Sequence, residues 1–149
     1  MPYLLDTNHC SYIMNGTRKQ ALYRKPYEVN TLAKYKSVKA AKIYMCEVSL
    51  SELCLGAEKS VHSLDIYRRL ANFRTIFPCL ELTPDCWELH GQVKWQIRKN
   101  DKNMADFDLL IACVAKKYGC TMVTNDSDFS NLPTNFVPLE NWAIIDPTR

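Results

Sequence analysis

Four short apolar runs punctuate this chain, at residues 2–5, 43–48, 79–82 and 120–124, and each of the first three leads into a stretch with helical character. Runs this short read as buried strands, and strands alternating with helices predict an α/β sandwich built on a mainly parallel sheet. A helix is expected from Thr7-Asn8, either of which can cap it, to about Asn15-Gly16. Thr31 to Lys42 can form a second. A third is expected from Ser49 to about Ser60, and a fourth from Leu64 to Phe77, where Pro78 ends it. Thr83-Pro84 opens a fifth, reaching about Lys99, with Cys86, Leu89, His90, Val93 and Ile97 along one face. After a polar loop at Asn100–Asn103, Asp106 to Tyr118 forms a sixth, stopped by Gly119. Asn125 to Asn131 reads as a loop and Phe136 to Leu139 as a last short strand. Four to five strands in 149 residues, with no repeat or linker, fit a single domain over 1–149.

In a parallel sheet the functional site lies beyond the carboxyl ends of the strands. Acids stand at just such places. Asp6 follows Tyr3-Leu4-Leu5, and Asp126 follows Val123-Thr124-Asn125. Glu52 lies in the helix after the second run, and Asp108 in the first turn before Leu109-Leu110-Ile111. Each has an ordinary structural use. Asp6 can cap a helix, Ser49-x-x-Glu52 has capping-box spacing, Asp108 suits the positive end of its helix, and Asp126 or Asp128 can shape a turn. Asp106 can cap the helix that Asp108 enters. Gathered together, however, two carboxylates about 5 Å apart repel by roughly 3 kcal/mol at an effective dielectric near 20. Such a group needs a cation, and oxygen-only ligation selects Mg2+ or Mn2+ over zinc.

Charge is unevenly spread. Residues 17–42 carry Arg18, Lys19, Arg24, Lys25, Lys34, Lys36, Lys39 and Lys42 against Glu28 alone, while the remainder of the chain is acid-rich. Composition favours a solvated surface arm; a polyanionic partner is the functional alternative, with Tyr23, Tyr27 and Tyr35 available to stack on bases. The seven cysteines show no Cys-x-x-Cys and no zinc spacing, so they read as reduced core residues. No leader or membrane-length apolar run is evident, which makes the expectation cytoplasmic. His9 sits near Asp6 and is expected on a surface or helix face.

Taken in order, Leu4-Leu5-Asp6-Thr7-Asn8, Ser51-Glu52-Leu53 with Gly56-Ala57, Asp108-x-Leu110-Ile111-Ala112 and Val123-Thr124-Asn125-Asp126 resemble the PIN domain. More closely they resemble the VapC-type toxins of bacterial toxin–antitoxin pairs, and Leu139-Glu140-Asn141-Trp142 resembles the way those toxins finish. The resemblance implies a Mg2+- or Mn2+-dependent endoribonuclease that cuts tRNA or another structured RNA and inhibits translation. It implies a VapB-like antitoxin and a homodimer. It maps Asp6, Glu52, Asp108 and Asp126 onto the metal-binding acids, with Asp128 the competitor for the fourth place and Thr124 and Asn8 beside them. The stretch between the first helix and the second strand is longer and more basic than in many such toxins. Two other readings compete: an inactive module that only binds RNA or protein, and a phosphatase with Asp6 as nucleophile. The second would want an aspartate where Asn8 stands.

Overall fold

The structure is a computed structural model that describes residues 1–38 and 41–144. Lys39 therefore lies outside the described residues. Five strands, β1 (Tyr3–Leu5), β2 (Ile43–Cys46), β3 (Cys79–Leu80), β4 (Thr121–Val123) and β5 (Leu139–Glu140), form one sheet in the order β3-β2-β1-β4-β5. Every pairing is parallel, with Tyr3 in register with both Ile43 and Thr121. Six helices flank the sheet: α1 (Thr7–Arg18), α2 (Pro26–Ser37), α3 (Glu47–Glu58), α4 (Ser63–Ile76), α5 (Pro84–Lys99) and α6 (Asp106–Lys117).

The period-two alternation of strands supplies both layers of core. Leu4 and Met122 face a cluster with Val93 and Ile97 of α5 and the almost wholly apolar α6. Their neighbours Leu5 and Val123 face the other cluster, with Ile13 of α1, Leu32 of α2, Leu53 of α3 and Phe73 of α4. All seven cysteines are free, and five of them are buried, as expected of small apolar residues.

Several boundaries differ from expectation for local reasons. Asp6, not Thr7 or Asn8, caps α1: its side chain accepts from the His9 N–H. Helix α3 starts at Glu47, two residues before Ser49, so Ser49 and Glu52 lie inside the helix and form no capping box. Ala105 holds the cap position of α6; Asp106 instead pairs with Lys94 at 2.7 Å and His90 at 3.1 Å.

The basic segment is packed, not a free arm. Pro26 is the first residue of α2. The helix lies so close to α1 that a Cβ on Gly16 would sit 2.9 Å from Leu32 Cδ1. Glu28 is buried; it takes two bonds from the Lys19 ammonium and one from the Lys25 N–H. Farther along, Asn30 Nδ2 donates to the Ala143 carbonyl at 3.0 Å and the Thr31 hydroxyl to that of Trp142 at 3.4 Å. Trp142 is itself buried against Tyr3, with ring centroids 5.1 Å apart. Tyr35 packs on Phe77 at 5.4 Å and is unavailable for stacking on bases.

Candidate metal centre

Chain order runs outward from β1 to β2 and β3, then returns to place β4 on the other side of β1. The sheet therefore reverses direction between β1 and β4, and a crevice opens beyond their carboxyl ends. Asp6 leaves β1 there, its N–H bonded to the Val123 carbonyl of β4 at 3.0 Å. Asp126 leaves β4 three residues after its end. The first turn of α6 brings Asp108 to the same place.

Carboxylate oxygens of Asp108, Asp126 and Asp128 lie within 4.8 Å of one another. Asp108 is the centre of the group. Burial, reinforced by the charges of Asp126, Glu52, Asp128 and Asp6, pushes its carboxyl up from the ordinary 3.8 to about 6. Of the four predicted acids, Asp108 and Asp126 meet within that distance, and Asp128 joins Asp126 instead of replacing it; Asp6 and Glu52 are not part of that group and reach Asp108 through their charge. No lysine or arginine forms an ion pair with any of these five carboxylates among the described residues.

The surrounding bonds orient the acids. Thr124, buried at the end of β4, accepts the Asp126 N–H on its hydroxyl at 3.1 Å, and Asp126 Oδ1 accepts the Asp128 N–H at 2.9 Å. These two bonds fix the loop that carries both acids. On the far side, the Thr7 hydroxyl lies against Glu52 Oε1 and 3.2 Å from Ser49 Oγ, so α1 sets the direction of the α3 carboxylate. From Thr7 and Glu52 the crevice continues into an open cleft walled by Met14, Leu53 and Ile66. Asn8 is exposed and bonds to none of the acids.

His9 is the residue that sequence reasoning misplaced. It is wholly buried, not on a surface, and its Nδ1 lies 2.8 Å from Asp6 Oδ1. The same oxygen takes the His9 N–H at 2.8 Å. One Asp6 oxygen is thereby committed to structure. His9 Nε2 has no partner. A carboxylate oxygen can only accept, so Nδ1 donates to Asp6. The signal was present in the spacing: a histidine three residues after a helix-capping aspartate sits over that cap.

The PIN domain family model matches residues 3–135. The chain belongs to the PIN domain family. This PIN domain is 29% identical over 143 residues to ribonuclease VapC2 of Rickettsia felis, covering 95% of this chain and 98% of the relative. It is 25% identical over 127 residues to a Shigella flexneri protein named tRNA(fMet)-specific endonuclease VapC, covering 85% and 88%. Among solved structures it superposes on a chain of VapBC2 from Rickettsia felis, bound to a DNA fragment from their promoter, with a TM-score of 0.77 and 26% identity, covering 95% of this PIN domain and 99% of that chain. DNA-bound VapBC from Salmonella typhimurium gives 0.78 at 20% identity, covering 95% and 98%, a likeness of fold. The resemblance read from the four motifs and the expected parallel α/β sandwich both stand.

Proposed function

We propose that this PIN domain is a Mg2+- or Mn2+-dependent endoribonuclease of the VapC type, acting as a single domain on RNA phosphodiester bonds. The observation that carries the reading is the unpaired acidic cluster around Asp108. Three carboxylates within 4.8 Å of one another, with oxygen donors alone, fit a hard divalent cation. Asp108, Asp126 and Asp128 would hold it, and the charges of Asp6 and Glu52, both felt at Asp108, would add to the attraction. When bound, such an ion supplies Lewis-acid chemistry for phosphodiester hydrolysis.

The chain's own residues account for the rest. Asp6 is held by His9 through two bonds to one carboxylate oxygen. Thr7 holds Glu52, and Thr124 holds the Asp126 loop. None of the histidines is placed as a general base: His9 is buried on Asp6, His90 pairs with Asp106, and His62 is exposed at the start of α4. A phosphatase with Asp6 as nucleophile is disfavoured by Asn8, an exposed amide where that chemistry wants a second carboxylate.

The relatives' names support a tRNA or similar structured RNA as substrate, and through it an effect on translation. The VapBC complexes support a VapB-like antitoxin as partner. A homodimer and a cytoplasmic location belong to the same reading; no described helix is long and apolar enough to cross a membrane. The deciding experiment incubates purified protein with total RNA and Mn2+ and sequences the new ends. Cuts bearing 5′-phosphate and 3′-hydroxyl ends, abolished by EDTA, are expected. Cyclic 2′,3′-phosphate ends that persist in EDTA would overturn the reading.

A further inference from the structure

A row of side chains leads away from the acidic crevice along α1 and α2. Asn125, the residue before Asp126, donates from Nδ2 to the Tyr12 hydroxyl at 2.9 Å. The Tyr12 ring meets that of Tyr27, with centroids 4.5 Å apart and planes tilted by 43°. Lys25 then extends over Tyr27, its Nζ 5.9 Å from the ring centroid. Both tyrosines are half-buried, Lys25 is exposed, and Lys25 forms no ion pair among the described residues. The Tyr27 hydroxyl has no hydrogen-bond partner among the described residues.

We propose that Tyr12 and Tyr27, with Lys25, form a stacking platform for a base of single-stranded RNA next to the bond that is cut. The inference rests on the ribonuclease reading and assigns the substrate's path from the acidic crevice onto α1 and α2. Three features favour RNA as occupant. The platform is continuous with the metal loop, because Asn125 ties Tyr12 to the residue beside Asp126. A lone cation accompanies the rings, the combination that single-stranded nucleic acid uses for base and phosphate. And a base that stacks on Tyr27 in place of the Lys25 ammonium releases that flexible group to the neighbouring phosphate, exchanging a weak cation–π contact for a charge-assisted one. The interleaved tyrosines of the sequence thus separate by position: Tyr35 is core, Tyr23 stands exposed on the turn before α2, and Tyr27 alone joins the site.

The test measures binding in EDTA, so that it does not depend on cleavage. A single-stranded oligoribonucleotide carrying 2-aminopurine is titrated with full-length protein, and both affinity and fluorescence quenching are read. The unaltered protein should quench the base. Tyr27→Leu should weaken binding about tenfold and remove the quenching, whereas Tyr27→Phe and Tyr27→Trp, which keep a ring, should retain both. Lys25→Ala should lower affinity and flatten its salt dependence while quenching remains. Unchanged affinity and quenching in Tyr27→Leu would overturn the proposal, and so would an equal loss in Tyr27→Phe. If the unaltered protein does not quench and Tyr27→Leu instead alters its oligomeric state, the surface is a protein interface and the RNA assignment falls. Quenching without Mn2+-dependent cutting would leave the platform standing and sink the nuclease; cutting with an unaltered KM in Tyr27→Leu would do the reverse.

Discussion

Replacing Asp108 by Asn should stabilise the protein when metal is withheld. Its carboxyl oxygen shares a 4.8 Å neighbourhood with those of Asp126 and Asp128. Each such pair repels by about 3 kcal/mol at an effective dielectric near 20. The rise of the Asp108 carboxyl from 3.8 to about 6 corresponds to about 3 kcal/mol for the whole environment, less than the two pairs summed. The lower figure is the better guide because it includes the water around an exposed Asp128, and it too is an upper bound for a group only partly buried. Solvent screening leaves about 1–2 kcal/mol, or about 2–8 °C in melting temperature for a chain of this length.

The pH dependence fixes the sign. The folded-state pKa is raised, so the favourable, protonated form of Asp108 prevails at acid pH, and its contribution is lost as pH climbs from about 4 through about 6. Thermal unfolding in EDTA should therefore show Asp108→Asn melting higher than the unaltered protein at pH 7.5, with the gap closing toward pH 4. Mn2+ should reverse the order, because an ion that binds only the folded state adds about 2.7 kcal/mol at a hundred times its dissociation constant. A variant that melts lower in EDTA at pH 7.5, or whose advantage is the same at both pH values, would refute the reasoning.

Three further outcomes are expected. Asp6→Asn should abolish RNA cleavage with an unchanged circular dichroism spectrum, since asparagine caps a helix as well as aspartate does; residual activity near that of the unaltered protein would remove Asp6 from the centre. His9→Leu should weaken Mn2+ binding, read by calorimetry, about tenfold or more, while His9→Asn, whose amide can take the place of Nδ1, should recover most of it. Gly119, which ends α6 at a φ of +67°, should cost about 1–2 kcal/mol when changed to Ala, although nothing lies within 4 Å of the added Cβ; an unchanged melting temperature would contradict that.

Alternation of short apolar runs with helical stretches was enough to predict the parallel sheet, because each strand carries its own period and each helix its own length. It was also enough to place Asp6 and Asp126, since a residue at the end of a strand can lie only at that end of the sheet. Glu52 was harder. Its role depends on where α3 starts, and a start two residues earlier turns a capping-box glutamate into one held by Thr7 from another helix. Asp126 and Asp128 were competitors in the sequence because a loop's direction is not written in its residue types; the bonds from Thr124 through Asp126 to Asp128 set it. His9 was expected on a surface or helix face although its partner Asp6 lies only three residues away, and Tyr12 was overlooked for a different reason. Whether a ring on α1 faces core, crevice or solvent follows from what α2 and the Asn125 loop lay against it, and those are contacts across 15 and 113 positions of chain.

The two bonds from α2 to the carbonyls of Trp142 and Ala143 give the basic segment an unexpected dependence on the far end of the described chain. Trp142 is wedged under Tyr3, so the turn that follows β5 works as a latch holding α2 in place. Loss of Trp142 and Ala143 would leave every lysine and arginine of that segment in the chain, and α2 still packed on α1 through Leu32 and Glu28, yet untie the helix at Asn30 and Thr31. On the proposed ribonuclease reading, RNA would then have to order that part of α2 on arrival, and affinity would fall without the removal of a single positive charge.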